Sequence, residues 1–227
     1  MAPLGFRAAG AKPKPKMVLV AHIAGAGAKA AATGADAVLL SIPKAGAKPP
    51  KASGKAKTDI PWGGWLKEVS GPAIKKLGEG GADFVVFPAA SVSSAMLEDE
   101  KLGKIVEVEA GLDAGLLKAI DDLPVDAVLI AGGKLSLTWQ DLMLFRRGVN
   151  ILTKPLLVVV SPDIIASELQ ALCEAGVSGV VAGGKLDKLR QAIDKLPYPK
   201  AGKRRKVEPL VPLIGGGVVS EEEEEDE

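Results

Sequence analysis

Short runs rich in Val, Leu and Ile recur along this chain, and each is apolar on both of its faces. They occupy residues 17–23, 35–41, 84–88, 104–109, 125–131, 155–161 and 178–182; a weaker one, Ile-Pro-Trp-Gly-Gly-Trp-Leu at 60–66, falls where the rhythm requires it. A strand with no polar face lies between two covering layers, which is the situation of a strand in a parallel sheet. Successive starts are 18 to 30 residues apart, room for a strand, a turn and a helix.

Most of the gaps carry the 3.6-residue pattern of a helix. Residues 68–78 place Val69, Ile74 and Leu77 on one side, and 114–123 do the same with Leu116, Leu117, Ile120 and Leu123. Residues 138–147 carry Leu142, Met143 and Phe145 behind Thr138, a good N-cap. Ser161-Pro162 reads as a cap and first turn opening a helix over 163–175, which Gly176 closes. A glycine followed by a small or acidic residue precedes several strands: Gly34-Ala35-Asp36, Gly81-Ala82-Asp83 and Gly176-Val177-Ser178. Such a glycine ends a helix in the left-handed conformation and lets the chain drop into a strand.

Eight evenly spaced units favour a compact (β/α)8 barrel, with an open doubly wound parallel sheet as the alternative. In rhythm and phrase, residues 17–196 resemble the small phosphate-binding-type (β/α)8 (TIM) barrels, a family that includes isomerases, synthases, aldolases and flavin-binding enzymes. The span is short for this fold, so helices should be short or missing. The second helix is the candidate for replacement: residues 43–58 hold paired prolines, scattered glycines and the basic side chains Lys44, Lys48, Lys51, Lys55 and Lys57.

Residues 1–16 read as a basic arm and 197–227 as a basic, then acidic tail ending in seven acidic residues, Glu221 to Glu227, both disordered by composition. Between them, 20 basic side chains balance 20 acidic ones, so attraction for a charged ligand must be local. No apolar run approaches the ~18–20 residues of a membrane span, and the apolar segment after the first lysines is read as a strand rather than a signal peptide. The single cysteine, Cys173, excludes a disulfide framework and reads as a core residue on a helix. A cytoplasmic location is the expectation.

The residues that could carry chemistry are few. In Lys104-Ile105-Val106-Glu107-Val108-Glu109, alternation places Glu107 and Glu109 on the face opposite Val106 and Val108. The outer face of a barrel strand must be apolar, so both carboxylates should point into the mouth, as an acid–base pair or as ligands of a divalent ion. His22, the only histidine, shares parity with Val18 and Val20 and could meet them there. Two strand-ending turns, Gly132-Gly133-Lys134 and Gly183-Gly184-Lys185, offer backbone amides and a cation to an anionic ligand.

The resemblance implies a phosphate site at the second of these turns. Its other half, a glycine turn after the seventh strand, is replaced by Ser161-Pro162-Asp163, whose carboxylate at a helix start would oppose an anion. No cofactor or metal is specified. Lys104 stands at the wrong end of its strand for Schiff-base chemistry, and Trp62 and Trp65 could stack on a ligand ring or simply pack.

Three functions remain open. One is an enzyme of lyase, isomerase or aldolase type acting on a small phosphorylated or carboxylated metabolite. Another is a non-catalytic barrel that recruits partners through its charged tails. The third is association with RNA or ribosomes through the basic segments.

Overall fold

Eight parallel strands pair in strict sequence order and the last returns to the first, closing the sheet into a barrel. The computed structural model describes residues 16–24, 34–42, 60–67, 70–91, 102–131, 137–184 and 186–197. The strands are β1 (Val18–Ile23), β2 (Ala37–Ile42), β3 (Trp62–Leu66), β4 (Phe84–Pro88), β5 (Gly103–Val108), β6 (Ala127–Ile130), β7 (Leu156–Val159) and β8 (Gly179–Gly183). Following the paired positions once round the barrel returns the register displaced by eight residues, the shear of the ordinary eight-stranded parallel barrel. The expected closed barrel is therefore found, and the open sheet is excluded by the pairing of β1 with β8.

Five helices are described: α1 (Gly71–Glu79), α2 (Ala114–Asp121), α3 (Trp139–Ile151), α4 (Ala166–Ala175) and α5 (Asp187–Lys195), following β3, β5, β6, β7 and β8. The basic segment 43–58 lies outside the described residues. Thr138 caps α3 as expected, with Asp141 returning the bond to the Thr138 amide to complete a capping box. The helix runs past its expected end to Ile151, with Gly148 buried in its interior.

The expected start of α4 is corrected. Ser161 and Pro162 do not cap it; Ser161 closes a separate turn, accepting from the amide of Asp163 at 3.3 Å. The helix begins four residues after Pro162, where the Glu168 carboxylate accepts the Ile165 amide at 3.2 Å. Asp163 is thus outside the first helical turn.

Alternation along each strand divides the core. Outward side chains such as Leu19, Leu66, Val106, Val108, Val128 and Val180 form one large cluster with the helices, and inward ones, Val20, Leu39, Val86, Leu129, Leu157 and Val181, form a second inside the barrel. Cys173 lies in the outer cluster, 6% exposed, and burial pushes its thiol up from the ordinary range.

The amino-terminal rim of the barrel is tied by a repeated device. Asp36, Asp83 and Asp126 each stand just before a strand and accept an amide from the preceding strand: Leu19 at 2.9 Å, Trp62 at 2.9 Å and Lys104 at 2.7 Å. Gly34 and Gly81, at φ 83° and 77°, make the turns that aim two of these aspartates. A carboxylate accepting a backbone amide is a strong bond, and here it sits where each parallel pair begins.

Candidate functional site

Barrels of this kind keep their chemistry at the carboxyl ends of the strands, because the loops leaving that end converge on a single opening. Two residues above the apolar interior, three strands change character there. β1 goes from Val20 to His22, β2 from Leu39 to Ser41 and β5 from Ile105 to Glu107, with all six on the inward face. β3 adds Trp65, which packs on the interior cluster and pairs in register with Ser41.

These four side chains are in contact. The Trp65 indole N–H donates to Glu107 Oε2 at 2.6 Å across 42 residues of sequence. The Trp65 ring meets the His22 ring edge to face, with centroids 4.9 Å apart and planes at 61°. His22 Nε2 is 2.7 Å from Ser41 Oγ. Partial burial lowers the pKa of His22 below its ordinary 6.5, so the imidazole is neutral at pH 7. A neutral ring has one donor and one acceptor nitrogen, and the Ser41 hydroxyl suits either.

The expected residues are distributed unevenly. Glu107 faces inward as its parity requires and is half-buried; Glu109 lies one residue beyond the end of β5 and is exposed. The anticipated carboxylate pair is therefore one inward glutamate held by an indole, with the other at the rim. His22 stands in register with Gly183 at the end of β8. Gly184 follows at φ 81° in an exposed turn, with Pro162 beside it. Lys185, and the whole of the Gly132-Gly133-Lys134 turn, lie outside the described residues. Lys104 is buried at the start of β5 on the helix-facing side with Val106 and Val108.

Ser41, and the bond of Trp65 to Glu107, are the contributions missed from sequence. Both had a readable signal: Ser41 shares parity with Leu39, and Trp62 and Trp65, three residues apart on a strand, must face opposite ways. Trp62 packs outward against the helices. Among the described residues no group of three or more His, Cys, Asp or Glu side chains is placed to hold a metal ion, and no helix is long and apolar enough to cross a membrane.

The fold and the position of this polar cluster define a (β/α)8 barrel with a carboxylate and an imidazole at its mouth. No family model and no curated protein matches the sequence. Solved structures do match. A tryptophan synthase complex from Pyrococcus furiosus superposes with a TM-score of 0.58 at 16% identity, over 80% of this chain and 96% of that one. A mutant alpha-subunit of tryptophan synthase from the same organism gives 0.59 at 17% identity, over 79% and 94%. At such identities the likeness is one of fold.

Proposed function

We propose that this barrel is an enzyme of lyase or isomerase type that moves a proton on a small phosphorylated or carboxylated metabolite. The observation that carries the reading is the bond from Trp65 to Glu107, which fixes a carboxylate on the inward face against the same indole that meets His22. A carboxylate with one oxygen held by an indole keeps its other oxygen for a substrate proton. Glu107 would take that proton from a carbon next to a carbonyl, and the neutral His22, oriented by Ser41, would hydrogen-bond the oxygen that gains charge. Gly183, Gly184 and Lys185 would hold the anionic end, with Gly132, Gly133 and Lys134 as a second anion turn. Asp163 lies before the first turn of α4 and so does not occupy that helix's leading amides. Glu109, at the rim, would meet the solvent end of the ligand. Tryptophan synthase is similar in fold, and barrels of this fold keep their sites at this end.

A second reading has its own observation: Glu107 and His22 already have partners within the protein. On that reading the cluster is a packed polar cap on a non-catalytic barrel, and partners are recruited by the charged tails. One experiment separates them. The melting temperature is measured against inorganic phosphate and a panel of sugar phosphates and small carboxylic acids. The enzyme reading expects a concentration-dependent rise that Lys185→Ala reduces, and solvent deuterium exchange into the stabilising compound that Glu107→Gln abolishes without removing the rise. No anion response in the unmodified chain would overturn it.

A further inference from the structure

Beneath the polar end the barrel is not full. A partly open cavity of about 150 Å3 lies inside it, and every residue lining it is apolar, among them Val20, Leu39, Phe84, Val86, Leu129 and Val181. Barrel interiors of this type are ordinarily filled by layers of branched side chains. Here several inward positions near the amino-terminal end carry little or nothing: Ala37 on β2, Gly63 on β3, Gly103 on β5 and Gly179 on β8.

The small residues are locked in by what has packed onto them. A Cβ on Gly63 would stand 2.4 Å from the Phe84 ring, and one on Gly179 would stand 2.7 Å from Leu157 Cδ2. Phe84 and Leu157 thus lie over the glycines and fill the space beside them, and a void remains between Phe84, Ile105, Leu129 and Val181. Single methyls at the glycines cannot refill it without pushing these side chains aside.

Water is a poor occupant. A buried water needs two to four polar partners, and this lining supplies none. Above it, the Trp65 N–H is bound to Glu107 and His22 Nε2 to Ser41. An empty apolar void forfeits dispersion contacts on every wall. Dry cavities of roughly this size accept single aromatic rings or xenon.

We propose that the barrel interior is a binding site for a small uncharged apolar molecule, of one-ring or short-hydrocarbon size. The site is separate from the proton chemistry proposed at the mouth and does not require it. Its ligand carries no charge and no donor, because burying either against these walls would leave it unpaired.

The test uses the full chain with benzene as probe and phenol as its polar counterpart. Benzene is expected to raise the melting temperature by about 2–4 °C near saturation, and phenol at the same concentration by clearly less. Filling the void with Val86→Ile and Val181→Ile should at least halve the benzene response. Should that double variant not fold, xenon on the unmodified protein decides, by crystallography under pressure or by 129Xe NMR, and one xenon inside the barrel is expected. Absence of both a benzene response and internal xenon would overturn the proposal. So would a benzene response unchanged in the folded filled variant, or ordered water in the cavity.

Discussion

Arg190 on α5 reaches Asp36 at the start of β2, with Nη1 3.0 Å from Oδ2, although 154 residues separate them. The same aspartate oxygen accepts the amide of Leu19 on β1. One carboxylate therefore joins the last helix to the first two strands, at the seam where β8 meets β1. Lys16 works beside it, bonding the carbonyls of Asp194 and Leu196 at the end of α5.

Both partners of this pair are partly solvated, so its charge contributes modestly. Arg190→Met should lower unfolding free energy by about 1 kcal/mol. Asp36→Ala should cost more, about 1–3 kcal/mol, because it also strands the Leu19 amide. Urea denaturation of the two variants gives the order; equal losses would show that the amide bond adds nothing.

The bond between Trp65 and Glu107 should show strong coupling. A double-mutant cycle with Trp65→Phe and Glu107→Ala should return an interaction of about 1.5–3 kcal/mol, the range for a hydrogen bond to a charged group. Additive losses would mean that the two side chains are neighbours without being partners.

Gly63→Ala should be among the most damaging small changes in the barrel. The added Cβ would meet both the Phe84 ring, at 2.4 Å, and its carbonyl oxygen, at 2.5 Å. A ring can turn aside, but the carbonyl belongs to the paired strand. A loss of about 1–3 kcal/mol is expected, with Phe84→Leu restoring only part of it. Complete restoration would place the whole conflict in the ring.

His22 predicts a pH dependence. Burial depresses its pKa in the folded chain below the ordinary 6.5, so the unfolded chain binds the proton more readily. The stability that follows is fully present above about pH 6.5 and is lost as pH falls through the lowered folded value. Replacing His22 with Gln should flatten the stability profile in that window. An unchanged slope would assign the acid sensitivity to other groups.

The strand rhythm was legible because buried parallel strands leave little choice of residue, and alternation alone put Glu107 inside and Val106 and Val108 outside. The start of α4 was misread for a local reason. Ser161-Pro162 resembles a cap, but Glu168 reaches back to the Ile165 amide and sets the boundary later. The aspartates before the strands were visible as a phrase, yet their job was not. Asp83 accepts from Trp62, 21 residues earlier, and only the pairing of β3 with β4 brings that amide into reach. The partner of Glu107 was hidden for the same reason, since Trp65 lies in a strand so rich in glycine that its direction carried little weight.

Closure by β1 and β8 also sets an order of events for a chain made from its amino end. Val18 cannot find its partner Gly179 until the final repeat has been synthesised. Until then the first strand has one neighbour and one bare row of amides and carbonyls, a template for any extended segment nearby. Pairing across so many residues is slow to nucleate. The vulnerable moment for such a chain is therefore the interval in which seven-eighths of a ring exists with two open edges, when those edges can pair with other chains.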